Sequence, residues 1–445
     1  MNKYERYKKV NLPWLKEIPN HWEIIRNKNI FKENKKSVGN RFQDYKLLSL
    51  SLKGVIERNL EAGGKFPANF EKYSIVNLDE LVFCLFDIDE TPRAIGIAGI
   101  EGMITNAYNI MSVRGHVPRY MYYFYLYLDF IKGLKPYYSG LRKTVGIDTF
   151  NSFKIPVPSV KEQVQIANYL DWKINEIDRL IQIEKEKIKQ LKICKQKYID
   201  SLIETIDTVP QPLKSIFNFG KGLNITKENL GQKGIKCISY GEIHNEFFFS
   251  FSSNNTKLKK LEKTDGVVIS KFANLNKGDF IFADTSEDLN GCGNFTFLED
   301  DFIKIYAGYH TVVAKPIIEF DTKYLAYYFQ SNKWRMQVKK TVKGIKVYSI
   351  TQQILKSSKV QIPDDKIQKN IVNRADKFIE KINCLTDIME NCIKALLDLK
   401  QSLISEVVTG QIDVRDIAIP EYEKVAIADG EIEETDEMEG KEYGS

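Results

Sequence analysis

A chain of 445 residues with 43% hydrophobic and 12% aromatic content carries enough apolar surface for two or more cores, which excludes an intrinsically disordered protein. The net charge of +6 is unevenly placed: residues 421–445 hold ten acidic residues and two lysines, a net of −8, which leaves +14 on the other 420 and suits a polyanionic partner. The six scattered cysteines form no CxxC pair and no metal-ligand cluster with the four histidines, which speaks against structural zinc and for a reducing compartment.

In chain order, the opening MNKYERYKKV has no apolar core of a secretion signal. The most apolar stretch, YMYYFYLYLDFI from Tyr120, is too short and too tyrosine-rich to cross a bilayer. Both point to a cytoplasmic protein without a membrane partner. Residues 1–157 read as a globular head of short β-like runs. Its polar loops carry cations and aromatics, with Lys53, Arg58, Arg93, Tyr108, Ser139, Arg142, Lys143 and Thr144 as candidates for contact with nucleic acid.

Residues 158–208 follow as one long helix. Apolar residues at Ala167, Leu170, Ile174, Ile177, Ile181, Ile188, Leu191, Tyr198 and Leu202 step by threes and fours, the spacing of one helical face, and no Pro or Gly falls within 159–209. A second head spans 209–362, with His244, Thr285, Asn290, Tyr309, His310, Lys343, Lys346 and Tyr348 as its candidates. A second helix spans 363–413, with a stop at Gly410, and an acidic tail read as disordered covers 414–445.

The second half repeats the first. Pro158 and Pro363, Gln163 and Gln368, Ile166 and Ile371, Asn168 and Asn373, and Asp171 and Asp376 are each 205 apart. In the heads the offset drifts. NLDELVFCLFD from Asn77 pairs with NKGDFIFADTS from Asn276, ITNAYNIMSV from Ile104 with IYAGYHTVVA from Ile305, RYMYYFY from Arg119 with KYLAYYF from Lys323, and SGLRKTVGIDTF from Ser139 with KGIKVYSITQQI from Lys343. Each helix of roughly 45 residues would be about 65–70 Å long, too long to bury its stripe on a small head. The economical solution packs the two on each other through Leu170, Ile174, Ile177, Leu191, Ile379, Ile382, Leu396 and Leu403, antiparallel if the duplication is two-fold. The expected fold is therefore α+β: two globular mixed α/β heads joined by two long antiparallel helices, a coiled-coil spacer with a pseudo-two-fold internal repeat.

Catalytic patterns are missing from the sequence. It has no G-x-x-x-x-G-K-[ST] loop, no glycine fingerprint for a dinucleotide and no Asn-Pro-Pro-Tyr motif, and the DIDE stretch from Asp87 reads as an acidic loop. On residues alone three readings stand: a sequence-specific DNA reader, a coiled-coil scaffold with protein-binding heads, and a fused nuclease or methyltransferase.

The doubled P-x-x-x-x-Q-x-x-I junction, the opening PNHWEIIRNKNIF, the stretch SGLRKTVGIDTFNSFKIPVP and the closing LISEVVTGQID together resemble the specificity (S) subunit of type I restriction-modification systems, over about residues 10–415. The resemblance implies two target recognition domains, each reading half of a split double-stranded DNA sequence, and a helical spacer that sets the gap. It implies no catalytic residue, cofactor or metal in this chain. It further implies docking of two methyltransferase (M) subunits and two restriction (R) subunits, which bring S-adenosylmethionine, ATP and Mg2+. The second junction departs in IPDDK for VPSVK, and Arg374 stands where the first copy has Tyr169.

Overall fold

The computed structural model describes residues 2–52, 54–58, 70–88, 90–344 and 346–425. The chain forms two compact units: Met1–Lys185 with Glu390–Ser445, and Glu186–Met389. The long helices, Val160–Glu204 and Asp365–Val408, each give one half to each unit. The structural division therefore runs through the middle of both helices and not at the head–helix junctions. Among the described residues, no helix is long and apolar enough to cross a membrane.

In the first unit a four-stranded antiparallel sheet runs in the order Phe31–Asn34, Asn109–Val113, Leu81–Phe83, Ile95–Ile97. The tyrosine-rich stretch is the helix Pro118–Phe130, almost wholly buried, so its aromatic rings make core and not membrane contact. Phe31, Phe83, Tyr125 and Phe150 meet at centroid distances of 5.0–5.9 Å, within the range of favourable edge-to-face pairs. The second unit repeats the plan with one strand more. Its sheet runs Phe217–Lys221, Thr311–Pro316, Phe280–Ala283, Phe295–Leu298, Phe249–Phe251, and the helix Thr322–Gln330 takes the place of Pro118–Phe130. Its smaller sheet pairs Ile235–Ile238 with Ile305–Ala307 in parallel.

The repeated junction has one physical job. The strand Lys154–Val157 stops before Pro158, whose ring cannot continue a ladder, and the long helix starts at Val160. Gln163 is fully buried; its side-chain carbonyl accepts from the Val117 N–H, which opens the helix Pro118–Phe130, and its amide donates to the Pro158 carbonyl. Gln368 does the same with the Asp321 N–H and the Pro363 carbonyl. Two turns further on, Asp171 accepts from Arg119 (2.7 Å) and from the Tyr123 hydroxyl, and Asp376 accepts from Lys323 (3.0 Å) and the Tyr327 hydroxyl. Of the residues that hold the 205 spacing, Gln163 and Asp171, and Gln368 and Asp376, lock each head onto its own helix.

The helices pack antiparallel within each unit. In the first, Ile166, Leu170, Ile177 and Ile181 are buried in one core with Leu403, Ile404 and Val407, and Lys400 binds Asp178 at 2.7 Å. In the second, Tyr198 stacks on Phe378 at 3.9 Å, and Ile379 and Ile382 lie half-buried and buried. Ile174, Leu191 and Leu396 are half-buried. Thr386, the polar step in the ladder, satisfies its hydroxyl by donating to the Ile382 carbonyl.

The segment read as the start of a disordered tail needs correction. Val414 is fully buried, Ile417 and Ile419 pack on the first core, and Gln165 donates to the Val414 and Ile417 carbonyls at 2.9 and 2.8 Å. Asn175 then bonds the backbone of Glu423 and Val425. Its apolar residues precede the acidic run and find a helix face to cover. The rest of that tail, 426–445, lies outside the described residues.

Candidate nucleic-acid interface

In each head three segments distant in sequence converge. The backbone sets the meeting: the Val145 N–H donates to the Leu85 carbonyl at 2.8 Å, and at the matching place the Ile350 N–H donates to the Asp284 carbonyl at 2.7 Å. The loop of residues 139–144, or the described residues 343, 344 and 346–348, is thereby held beside the end of a central strand, next to the turn that carries Tyr108 or Tyr309.

In the first head the Asp87 N–H also donates to the Arg142 carbonyl, at 2.9 Å. The Arg142 guanidinium sits 5.2 Å from the centre of the Phe86 ring, and Phe86 lies nearly parallel to Tyr108, 6.2 Å away. Asp87 holds Arg142 at 3.2 Å and Glu90 approaches Lys143 at 3.9 Å. Arg142 is thus oriented from two sides while more than half exposed, a state that presents a charge without letting it wander. Ser139 and Thr144 face each other across the turn: each N–H donates to the other's carbonyl at 3.0 Å, and the Ser139 hydroxyl donates to the Thr144 carbonyl. They build the loop.

Arg93 is placed differently. It donates to the Leu52 carbonyl, lies 5.6 Å over Phe130, and buries its Nε and Nη1 against the head. Arg58 is half-buried, with its N–H bonded to the Leu47 carbonyl. Lys53 lies outside the described residues.

In the second head the cluster is wider. His310, in the left-handed region at φ +53, accepts the Asp284 N–H through its carbonyl and brings Nδ1 within 3.1 Å of the Asp284 carboxylate. Thr285 donates to the same carboxylate at 2.8 Å. Tyr240 stands edge-on to Tyr309 and His310, at 5.6 and 5.3 Å. His244 is fixed by the Thr285 carbonyl and the Asn294 amide, both at 2.9 Å. Burial raises the Tyr309 hydroxyl above its ordinary range, so it stays a hydrogen-bond donor. Tyr348 pairs with Ser286 across a short ladder, and Lys343 and Lys346 are exposed on the loop above it. Asn290 is set apart, its side chain bound by Lys339 and its carbonyl by Arg335.

The structure therefore brings together Tyr108, Ser139, Arg142, Lys143 and Thr144 in one head, and His244, Thr285, Tyr309, His310 and Tyr348 in the other. Phe86, Tyr240, Asp284 and Asn294 were not among the candidates drawn from the sequence, although Phe86 and Asp284 lie inside the repeat-matched segments from Asn77 and Asn276, and Tyr240, Asp284 and Asn294 lie in the polar loops 240–247 and 283–294.

A protein solved in connection with complex assembly and conformational transition of the type I restriction-modification (R-M) system shares this fold: its TM-score is 0.64 at 10% identity, over 89% of this chain and 99% of that one. The HsdS subunit from Thermoanaerobacter tengcongensis aligns over 91% of this chain and 100% of its own, at 12% identity and a TM-score of 0.47. No curated protein matches the sequence. The family model described as the type I restriction modification DNA specificity domain matches residues 98–192 and 207–395, one segment for each copy of the repeat, and the chain belongs to that family.

Proposed function

We propose that each head reads one half of a bipartite duplex target across the edge built by its three converging segments. The observation that carries this is a shared frame with unlike contents. One matched backbone bond, Val145 to Leu85 and Ile350 to Asp284, frames Phe86, Tyr108 and Arg142 in one head and Tyr240, Asp284, Thr285 and His310 in the other. A common frame serves one kind of ligand, and different side chains on it serve different base sequences. Cations such as Arg142, Lys143, Lys343 and Lys346 neutralise phosphates or grip guanine, while Tyr, His, Thr and Asp donate to or accept from base edges.

The chain supplies recognition, and its partners supply chemistry. Two M subunits would bring S-adenosylmethionine, and two R subunits ATP and Mg2+. The spacer helices support a paired docking: Leu180 and Ile183 are 48% and 42% exposed, and their repeat mates Leu385 and Ile388 are 43% and 58% exposed. Two large apolar residues left in water at the same position of both copies suit two copies of one partner.

A methylation map of the host genome with and without this gene tests the reading. The expected result is loss of one bipartite motif with a fixed internal gap. A map unchanged by deletion, with the partner genes intact and expressed, overturns it.

A further inference from the structure

We infer that Leu141 is a specificity-determining residue of the first head, and that it reads a thymine by apolar contact with the C5 methyl group in the major groove. The inference rests on the proposed DNA-reading role and adds to it a base and a contact. Leu141 is the most exposed large apolar residue among those described, at 104% of its reference area. It stands at the tip of the 139–144 turn, so it touches nothing of its own fold.

The turn that carries it is rigid. Its ends are closed by the two Ser139–Thr144 backbone bonds, and the Lys143 N–H donates to the Gly140 carbonyl at 3.2 Å. Gly140 and Lys143 both adopt left-handed backbone, at φ +69 and +44. A lysine holds that conformation only where its surroundings fix it. The base of the turn is tied to the strand end through Asp87 and Leu85, and Arg142 is braced on Phe86 and Asp87. Such a mount fixes the backbone of Leu141 and leaves only its side-chain rotamers to settle on contact, which limits the ordering that direct readout needs.

Its setting selects the partner. Arg142 and Lys143 follow it at once and are 57% and 45% exposed, so whatever covers Leu141 also meets two cations. A polyanion with apolar features on its readable face fits, and in the major groove that feature is the thymine methyl. The sequence repeats the pattern in the second half, as Gly344-Ile345-Lys346 against Gly140-Leu141-Arg142.

The test uses the full chain in the complex purified from its host, and the target found by methylation mapping. Affinity is measured for the wild type, Leu141→Ala and Leu141→Met, on target DNA and on DNA with each thymine replaced in turn by deoxyuridine, which removes only the methyl. Loss of one methyl contact is worth about a fourfold change in affinity. The expected result is one position where deoxyuridine weakens the wild type by that factor. Leu141→Ala should show the same loss on normal DNA and no further loss at that position, and Leu141→Met should restore part of both. The proposal is overturned if every deoxyuridine effect persists in Leu141→Ala, or if Leu141→Ala weakens binding with no deoxyuridine effect in the wild type, as a wedge between base steps would. It is overturned too if the target holds no thymine. A complex with no sequence preference at all brings down the DNA-reading role itself.

Discussion

At the scale of single residues, the most informative side chains are two glutamines. Gln163 and Gln368 each bridge the carbonyl of the preceding proline to the first N–H of a buried head helix, and both are almost fully enclosed. Removing one partner from such a set leaves buried groups unpaired, which costs about 1–3 kcal/mol. Gln163→Ala should therefore lower the unfolding free energy of the first unit by about 1–3 kcal/mol, read from denaturant titration, and Gln368→Ala should do the same to the second unit. Hydrogen exchange reads the two separately: the Val117 amide should lose protection in the first variant only, and the Asp321 amide in the second only. Equal loss at both sites in either variant would mean that the bonds are not local locks. The recurrence of these glutamines was legible in the sequence, as was that of Asp171 and Asp376. Their role was not, because their partners lie 46 to 53 residues away and only the tertiary fold brings them near. The same limit applies to the interface. Arg142 and His310 stood out as polar loop residues, but whether a guanidinium points outward, as in Arg142, or inward, as in Arg93, depends on a ring supplied by another segment.

At the scale of elements, the long helices were the part most openly written. A 3.6-residue period sustained over 45 residues without Pro or Gly has few other solutions. The sheets were less open, since their strands are two to six residues long and pair across gaps such as Ile235–Ile238 with Ile305–Ala307. The segment from 414 was misjudged for a related reason: an acidic run dominates the composition after Glu421, yet Val414, Ile417 and Ile419 just before it decide where the segment lies. The helices also carry a prediction of their own. If they set the spacing of two half-sites, four residues inserted in each helix, between Lys185 and Glu186 and between Met389 and Glu390, add about 6 Å. At about 3.4 Å per base pair, the gap in the methylated motif should grow by one or two pairs while both half-sites stay unchanged. The insertion adds 400° of helical rotation, close to a full turn, so the buried stripe stays on its face. A motif with an unaltered gap would remove the helices from the measurement of distance.

At the scale of the whole molecule, the two heads carry separate cores, one built around Phe31, Phe83 and Tyr125 and the other around Phe280, Phe295 and Trp334. Each head is locked to its own helix by its own glutamine and aspartate, and the locking residues are the ones the two copies share. A design of this kind lets the proposed reading surface change without disturbing the frame, because side chains such as Phe86 and Arg142, or Asp284 and His310, are not among those that hold head to helix. It follows that residues 209–362 can be exchanged for the corresponding segment of a relative, provided that Gln368 and Asp376 keep their partners at the new Asp321 and Tyr327 positions. The exchanged chain should assemble with the same partners, and the complex should methylate a motif that differs in one half only, with the gap preserved. Sequencing for methylated positions across the genome reads both halves at once, so each half serves as the control for the other. A change in both halves would mean that the heads do not read independently. A change in the gap would mean that the heads, and not the helices, set the spacing.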